Sequence, residues 1–303
     1  MVPVQSPRAQ DDLPPAGGER GAILPREPSR LREFAFGDAD FDALRTLVKS
    51  LTGIHLSEQK RELVYGRLSR RLRTLQLRSF AEYRARLEND ERELVELCNA
   101  ITTNLTAFFR EGHHFQYLRT HLLEPFAARE RPGRRLRIWS AGCSSGEEPY
   151  SIAMTVLETL PQAAREDIRI LATDIDSDIL ERARRGVYPP ERTETLAPQR
   201  LERFFLERPE GGGVRRQVAP DVAGLVTFKQ LNLIHELPMR GPLDAVFCRN
   251  VVIYFDRDTQ RALFARIARL QRPGDLLFLG HSESLFKVSD DYALIGKTIY
   301  RRL

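Results

Sequence analysis

Cysteine is scarce in this sequence, and its scarcity excludes two kinds of site. The 303 residues contain three cysteines, which are Cys98, Cys143 and Cys248. They lie far apart, are odd in number and form no Cys-x-x-Cys pair, so neither a disulfide framework nor a zinc site is expected. Because unpaired cysteines are typical of reducing compartments, we expect a cytoplasmic protein.

Long apolar segments are also missing. No run approaches the ~20 apolar residues that a membrane-spanning helix needs, and the first residues lack the apolar segment of a signal peptide. We therefore expect a soluble chain without membrane insertion. The net charge of +5 is small for a chain of 303 residues. Such a mild positive excess is only weak evidence for a nucleic-acid partner, so we expect no nucleic-acid partner.

Familiar catalytic arrangements are absent as well. There is no Ser/His/Asp or Cys/His set for nucleophilic catalysis, and the glycine-containing loop is not GxGxxG, which argues against a dinucleotide. His113 and His114 are adjacent. Adjacent positions on a helix face different directions, so we expect no shared metal site and no bound metal. His281 follows an apolar strand, and we assign it no catalytic role.

The sequence divides into three regions. Residues 1–31 are rich in Pro, Gly and charge, which is typical of a disordered tail. Residues 32–100 have apolar residues at helical spacing and predict a small all-helical domain, with Ser57 starting its second helix and Ser79-x-x-Glu82 as a capping box. Residues 101–303 alternate apolar strands with helices, which predicts an α/β domain with a mainly parallel sheet.

Local signals add detail to the α/β region. Turn signals in residues 190–228 predict a small insert. The run LDAVFCRNVVIYF (243–255) predicts one strand, and the last twenty residues predict a hairpin. Ser177 is the expected N-cap of the helix that follows the second strand.

A glycine-containing loop, SAGCSSGEE (140–148), joins the first strand to its helix, and Asp174 ends the next strand. Ligands of such sheets bind at the carboxyl ends of the strands, where an acid suits ribose hydroxyls. Glu147 and Glu148 would repel a pyrophosphate and attract a cation. A nucleoside with a positive end, S-adenosylmethionine, fits both features. Taken singly, the glutamates could complement the helix dipole and Asp174 could cap a helix.

Six motifs then occur in a fixed order. They are TNLTAFFREGHHF (103–115), WSAGCSSGEEPYSIAM (139–154), ATDID (172–176), LNL (231–233), CRNVVIYFD (248–256) and GHSESL (280–285). Together they resemble the chemotaxis-receptor methyltransferases of the CheR type, over roughly residues 35–303. The resemblance implies methyl transfer from S-adenosylmethionine to glutamate side chains on the cytoplasmic helices of bacterial chemoreceptors. It also implies a Rossmann-like methyltransferase domain with a short β insert, after a small helical domain. We expect a monomer. Whether the insert holds a receptor peptide is left open.

The resemblance also implies the site residues. Those matching cofactor-binding positions are Asn104, Thr106, Arg110, Glu148, Asp174, Asn232, Leu233, Arg249 and Asn250. Glu148 matches the acid that meets the methionine ammonium, with Glu147 still open, and Asp174 matches the ribose acid. Arg110 and Tyr254 match the residues beside the transferred methyl group and are the implied catalytic pair.

The implied chemistry explains why no general base is present. A glutamate has a reference pKa of about 4.3 and is already a nucleophilic carboxylate at neutral pH. Its reaction with a sulfonium removes both charges, so a site that sheds water should lower the barrier. Arg110 and Tyr254 would orient the carboxylate by hydrogen bonds. Without the motifs, an ion pair with Glu111 would explain Arg110, and core packing would explain Tyr254.

A basic stripe is predicted on the second helix of the helical domain. Arg67 and Arg71 each fall within ~20° of Lys60 at 100° per residue, on either side of it. The stripe would dock acidic receptor helices, although a charge run is usually a solvated face. Two other functions stay open. One is a methyltransferase of the same fold acting on another protein, RNA or a small molecule; the other is a non-catalytic S-adenosylmethionine-binding signalling module. The stripe lacks the aromatic residues that stack on bases.

Overall fold

The computed structural model describes residues 32–128, 135–161, 167–211 and 213–303. The tail predicted for residues 1–31 lies outside the described residues. Within these ranges, no helix is both long enough and apolar enough to cross a bilayer.

The first part of the fold is all-helical, as the sequence predicts. Its helices are α1 (Asp38–Thr52), α2 (Arg61–Thr74), α3 (Phe80–Leu87) and α4 (Glu91–Ile101). On α1 the buried residues Phe41, Leu44 and Val48 recur at helical spacing and face the buried Leu68 and Leu72 of α2 in one apolar core. This periodicity is the physical origin of the helical prediction.

Two predicted helix starts have different outcomes. The Ser79 hydroxyl accepts the N–H of Glu82 at 3.2 Å, which confirms it as a cap, while the carboxylate of Glu82 accepts the N–H of Arg78 instead of that of Ser79. Ser57 precedes a short 3₁₀ turn, Glu58–Lys60, and its side chain makes no capping hydrogen bond. The second helix therefore begins at Arg61 instead of at Ser57.

A seven-stranded sheet forms the second part, and its order is β6-β2-β1-β7-β8-β10-β9. Its strands are β1 (Arg135–Ala141), β2 (Asp167–Asp174), β6 (Val226–Gln230), β7 (Ala245–Cys248), β8 (Leu276–Leu279), β9 (Tyr292–Gly296) and β10 (Ile299–Arg302). The first five in spatial order are parallel, and β10 pairs antiparallel with both β8 and β9. The mainly parallel sheet and the terminal hairpin are thus confirmed.

Helices cover both faces of this sheet. They are α5 (His113–Leu118), α6 (Glu124–Ala127), α7 (Glu147–Thr159), α8 (Ser177–Arg185), α9 (Pro198–Phe204), α10 (Pro220–Ala223) and α11 (Arg257–Arg269). Along β1, Leu136 and Ile138 pack in one apolar cluster with α5 and α7, whereas Trp139 and Ala141 pack in another with α11. Because successive strand residues point to opposite faces, the result is a three-layer α/β/α domain.

The insert differs from its predicted bounds. The strands β3 (Val187–Tyr188), β4 (Phe205–Glu210) and β5 (Gly213–Val218) form a separate antiparallel sheet of order β3-β5-β4. It begins at residue 187 instead of 190. Residues 226–228 belong to β6, which pairs with β2, because their apolar residues complete the edge of the main sheet.

Two further predictions are corrected. The strand predicted over residues 243–255 ends at Cys248, because Asn250 takes a left-handed φ of 59° and a 3₁₀ turn follows at Val252–Tyr254. The N-cap of α8 is Asp176, whose carboxylate accepts the N–H groups of Asp178 and Ile179; Ser177 is the first helical residue.

The segment after α1 ties the helical domain to the sheet. Gly53 ends α1 in the left-handed region at φ 75°, and Ile54 then forms a β-bridge with Phe255. The N–H of His55 donates to the carbonyl of Tyr254 at 2.7 Å. The helical domain is therefore anchored at the turn that carries Tyr254.

Candidate active site

One cavity brings together most of the residues that the resemblance implies. It lies at the carboxyl ends of β1, β2 and β7, where ligands bind in such sheets, and the helical domain supplies part of its wall. The implied residues among its lining are Asn104, Thr106, Arg110, Glu148, Asp174, Asn232, Leu233, Arg249, Asn250 and Tyr254, together with Lys60. Arg67 and Arg71 are not among the lining residues.

The loop after β1 forms the floor of the cavity, and its glycines permit that shape. Gly142 has a φ of 80°, and a Cβ there would lie 2.3 Å from Cγ2 of Val251. Gly146 has a φ of 95° and precedes the first residue of α7. Left-handed backbone favours glycine, so a side chain at Gly142 would both strain the backbone and displace the facing loop.

Asp174 ends β2 and holds the loop by hydrogen bonds. Its Oδ2 accepts the N–H of Ser144 at 2.8 Å, and its Oδ1 accepts the N–H of Asp176 at 3.0 Å. Burial raises the pKa of Asp174 to about 6, and the two N–H donors only partly offset this. Asp174 does not cap α8, because Asp176 is the N-cap of that helix; Asp174 instead lines the cavity.

The two adjacent glutamates point to different places. Glu148 lines the cavity with 11% of its side chain exposed, and its carboxylate accepts from Ser140 Oγ at 2.8 Å. Glu147 is 0% exposed, accepts from Ser145 Oγ at 2.6 Å and faces Arg192 on the side of the insert. Burial raises the pKa of both carboxyls. Of the two, Glu148 is the one placed to meet a cavity ligand.

Arg249 connects three parts of the site from a buried position. Its Nη1 donates to Glu148 Oε2 at 2.9 Å, and its Nη2 lies 3.4 Å from Glu111 Oε2 and donates to the carbonyl of Arg110. A buried guanidinium needs such partners to offset its desolvation. Arg249 thus orients the acid of α7 and fixes the backbone at Arg110.

The implied catalytic pair lies on two loops that face the cavity. The Arg110 guanidinium donates to the carbonyl of Leu105 at 3.0 Å. The expected alternative partner, Glu111, instead pairs with Arg249 and His281. Tyr254 lines the cavity from the 3₁₀ turn, so core packing does not account for its position.

The amides of the implied cofactor residues also hold loops in place. Asn104 Nδ2 donates to Asp176 Oδ2 at 2.8 Å, which secures the segment after α4. Asn232 Nδ2 donates to the carbonyl of Leu51 at 2.6 Å, which secures the end of α1. The carbonyl of Thr106 accepts from Arg192 Nη1 at 3.0 Å. Part of their role is therefore to shape the cavity wall.

Glu283, the acid of the GHSESL motif, holds the turn beside the cavity, a role that the motif alone does not predict. Its buried carboxylate accepts four backbone N–H groups at 2.6–3.3 Å, from Gly280, Asn250, Val251 and Ile253. Burial raises the pKa of Glu283, and these donors oppose the shift. The contacts hold the turn between Arg249 and Tyr254. The sequence signal for this role is the acid within the GHSESL motif. Its partners on the turn lie about 30 residues earlier in the chain, so the spacing of neighbouring residues does not predict them.

The histidines do not lie as expected. The rings of His113 and His114 do not point apart: their centroids are 4.1 Å apart, and each Nε2 lies 3.2 Å from the carbonyl of Lys297. Ligand atoms of both and of Glu111 lie within 4.8 Å of one another. Burial lowers the pKa of His114 to about 3, so its ring is neutral. The neighbouring Arg249 cation disfavours a second cation there, and the absence of a metal stays a prediction.

The predicted basic stripe is not presented by α2, because two of its members are engaged within the chain. Arg67 Nη1 donates to the carbonyls of Ala100, Ile101 and Thr102, which lie at the end of α4. Arg71 makes two bonds of 2.7 and 2.6 Å to the buried Glu93. These arginines join α2 to α4, and Lys60 is the member that faces the cavity.

The cavity suits a nucleoside that carries a positive end. Asp174 at the end of β2 can accept from hydroxyls, and Glu148 can meet a cation. The apolar lining between the polar groups includes Ile175, Leu231 and Leu233. An acid at the start of α7 would repel a phosphate at that helix N-terminus.

Comparison with known proteins agrees with this geometry. The family model described as "CheR methyltransferase, SAM binding domain" matches residues 104–301, and the one described as "CheR methyltransferase, all-alpha domain" matches residues 39–102. "Chemotaxis protein methyltransferase 2" of Pseudomonas aeruginosa is 46% identical over 89% of this chain and 95% of that protein. The "Chemotaxis protein methyltransferase" of Klebsiella aerogenes is 44% identical over 94% and 96%, and that of Escherichia coli is 44% identical over 88% and 91%. The chain belongs to the CheR methyltransferase family.

Proposed function

We propose that this protein transfers the methyl group of S-adenosylmethionine to glutamate side chains of bacterial chemoreceptors and so forms methyl esters for signalling adaptation. The observation that carries the proposal is one cavity lined by Asp174, Glu148, Arg110 and Tyr254. The names of the similar chemotaxis methyltransferases support the same substrate.

Each acid would hold one end of the cofactor. The carboxylate of Asp174 would accept the ribose hydroxyls, and Glu148 would pair with the methionine ammonium. Asn104, Thr106, Asn232, Leu233 and Asn250 would line the remaining surface. Arg249 would act through Glu148 and the backbone of Arg110, to which it is already bonded. When bound, the cofactor supplies an electrophilic methyl group on a sulfonium.

The protein's part in the transfer is orientation and exclusion of water. The substrate glutamate enters as a carboxylate, because its reference pKa is about 4.3. Arg110 and Tyr254 would hold one carboxylate oxygen in line with the methyl carbon, and such orientation contributes roughly 7–11 kcal/mol in favourable systems. Both reacting charges are lost as the ester forms, so a water-poor cavity favours the reaction.

The hydrogen bonds to the substrate should be moderate in strength. An arginine that bound the carboxylate strongly would stabilise the ground state and slow transfer. In the structure the Arg110 guanidinium also donates to the carbonyl of Leu105, so fewer of its N–H groups are available to bond the substrate carboxylate. Arg110 would therefore orient the carboxylate, with Tyr254 as the weaker partner.

We further propose that the protein acts as a monomer in the cytoplasm, on the cytoplasmic helices of the receptors, without metal or nucleic acid. Lys60 lines the cavity and would attract the acidic helix that carries the substrate glutamate. Arg67 and Arg71 are not part of this proposal, because their guanidinium groups bind α4.

The test uses tritiated S-adenosylmethionine and cytoplasmic fragments of chemoreceptors. We expect base-labile label on the fragment, since methyl esters hydrolyse in base. Arg110→Ala should lose most of this label while S-adenosylmethionine binding, measured by equilibrium dialysis, persists. No label above a blank without enzyme would contradict the proposed function. An unchanged rate for Arg110→Ala would contradict the orienting role alone.

A further inference from the structure

Two exposed apolar side chains, Ile253 and Phe286, lie on the turn that carries Tyr254 and on the loop hydrogen-bonded to that turn. Among the described residues, the large apolar side chains that are exposed are Val95, Leu105, Leu206, Val214, Ile253, Phe286, Leu294 and Leu303. Leu105 lines the cavity. Ile253, 47% exposed, precedes Tyr254 directly, and Phe286, 75% exposed, lies on the loop after β8. A single exposed apolar side chain is normal on a protein surface, and a contact surface requires several that are presented together.

The loops of Ile253 and Phe286 are joined to each other. The N–H of Ile253 donates to Glu283 Oε1 at 3.3 Å, and Phe286 follows Glu283 by three residues. The N–H of Phe286 donates to Ser284 Oγ at 3.1 Å, which fixes the loop locally. The two side chains are therefore presented by one hydrogen-bonded unit, which lowers the entropic cost of binding a partner.

Cationic groups border these apolar side chains. Lys287 Nζ lies 5.3 Å from the ring centroid of Phe286. Arg261 Nη2 donates to the carbonyl of Lys287 at 3.3 Å, and its Nη1 pairs with Asp258 at 2.8 Å. We name Ile253, Phe286, Lys287 and Arg261 the rim patch. Tyr254, which follows Ile253 in the chain, lines the cavity together with Lys60 and Arg110. The apolar side chains of the rim patch, with Lys287 and these two cavity cations, suit a partner that is both apolar and acidic.

We propose that the rim patch docks an acidic amphipathic helix of the substrate receptor beside Tyr254. The inference rests on the proposed function and names the surface that presents the glutamate. On a helix, side chains three or four residues apart are about 5–6 Å from each other on one face. One turn can thus send a glutamate toward Arg110 and Tyr254 while apolar side chains a turn away contact Ile253 and Phe286. Lys287, together with Lys60 of the cavity, then matches the remaining acids of the helix, while Arg261 pairs with Asp258 and holds the carbonyl of Lys287.

The test compares Ile253→Ala and Phe286→Ala with Leu294→Ala. Leu294 is 63% exposed and lies on β9 at the edge of the sheet, so it is a matched control. We expect Phe286→Ala to lower kcat/KM for the receptor fragment about tenfold or more, as buried aromatic anchors do, mainly through KM. Ile253→Ala should act in the same direction. The Kd for S-adenosylmethionine and the melting temperature should stay at the wild-type values in all three variants.

The outcomes separate this inference from the proposed function. If the wild-type protein labels no receptor fragment, the proposed function fails. If the wild-type protein labels the fragment and both rim variants match Leu294→Ala, the rim patch is not the docking surface and this inference alone is overturned. It is also overturned if the wild-type protein sediments as a dimer and Phe286→Ala as a monomer, because the patch would then bind a second copy of the chain.

Discussion

Arg249 and Glu148 form a buried ion pair at the cavity, with 2.9 Å between Nη1 and Oε2. The pair joins the residue after β7 to the first turn of α7. Because Arg249 also holds the carbonyl of Arg110, the acid proposed to bind the cofactor is linked to the residue proposed to orient the substrate. A change at Glu148 should therefore affect both cofactor binding and catalysis.

Neutralising each of the adjacent glutamates should separate their roles. We expect Glu148→Gln to weaken S-adenosylmethionine binding about tenfold or more, because a charge-assisted contact is lost. Glu147→Gln is the matched control, since Glu147 faces Ser145 and Arg192 outside the cavity. It should change the Kd less than about twofold. Isothermal titration calorimetry measures both, and a larger effect at Glu147 than at Glu148 would contradict the assignment.

Asp174 should make both stability and cofactor binding depend on pH. Its pKa is raised to about 6 in the folded protein, against about 3.9 in an unfolded chain. The folded state thus holds the proton more tightly, so the contribution of Asp174 to stability falls as pH rises from about 4 to 6. Above pH 6 the contribution of Asp174 to the free energy of unfolding stays about 3 kcal/mol lower than it is below pH 4.

The comparison of wild type with Asp174→Asn isolates this effect. The stability of the variant relative to wild type should increase between pH 4 and 6, as measured by denaturant unfolding without ligand. Wild-type S-adenosylmethionine affinity should weaken below pH 6, where the carboxylate is protonated, while the weaker affinity of Asp174→Asn should lack this step. A stability difference that is constant with pH would refute the shifted pKa.

Glu283→Gln should lower activity through the turn that its carboxylate holds. The new side-chain NH2 group would face backbone N–H donors and could not accept from them. Each backbone donor left without an acceptor would cost about 1–3 kcal/mol of stability. Glu93→Gln is the control, since Glu93 is also buried and bonded, to Arg71 and Tyr83, but lies away from the cavity. Both variants should melt at lower temperature.

Activity then distinguishes these two variants. Assayed well below both melting temperatures, Glu283→Gln should reduce kcat about tenfold or more, and Glu93→Gln should match wild type. Equal kcat values for the two variants would show that Glu283 contributes stability alone.

Gly142→Ala should weaken both folding and cofactor binding. The new Cβ would lie 2.3 Å from Val251 Cγ2 and sit at a φ of 80°, and left-handed backbone costs a side chain about 1–2 kcal/mol. Adding Val251→Ala removes the facing methyl, so the double variant should regain part of the stability and of the affinity. The backbone cost should remain. Purely additive losses in thermal unfolding would argue against the clash.

Local patterns in the sequence were enough for the helices, the parallel strands and the terminal hairpin, because periodicity and turn chemistry act over a few residues. The acids could also be predicted, since Asp174 is the last residue of β2 and Glu148 lies in the first turn of α7, just after the glycine-containing loop that follows β1. The end of β7 could not be predicted, because the apolar sequence continues beyond it. The backbone turns at Asn250, whose N–H donates to the carboxylate of the distant Glu283.

Contacts with residues far away in the chain explain the other differences between the predicted and the observed positions of side chains. Arg67 binds carbonyls 33–35 residues away, so its spacing on α2 predicted a surface stripe that tertiary contacts replace. His113 and His114 meet the same carbonyl of Lys297, more than 180 residues away, which overrides their directions on an isolated helix. In each case the side chain's position is set by contacts that adjacent residues do not encode.

The most direct test of the central claim is methyl transfer to a receptor fragment and to the same fragment with its methylation-region glutamates replaced by alanine. With wild-type enzyme and labelled S-adenosylmethionine, we predict base-labile label on the first fragment and none on the second. Absence of label on both fragments, or base-stable label that persists without the glutamates, would contradict protein-glutamate methylation by this chain.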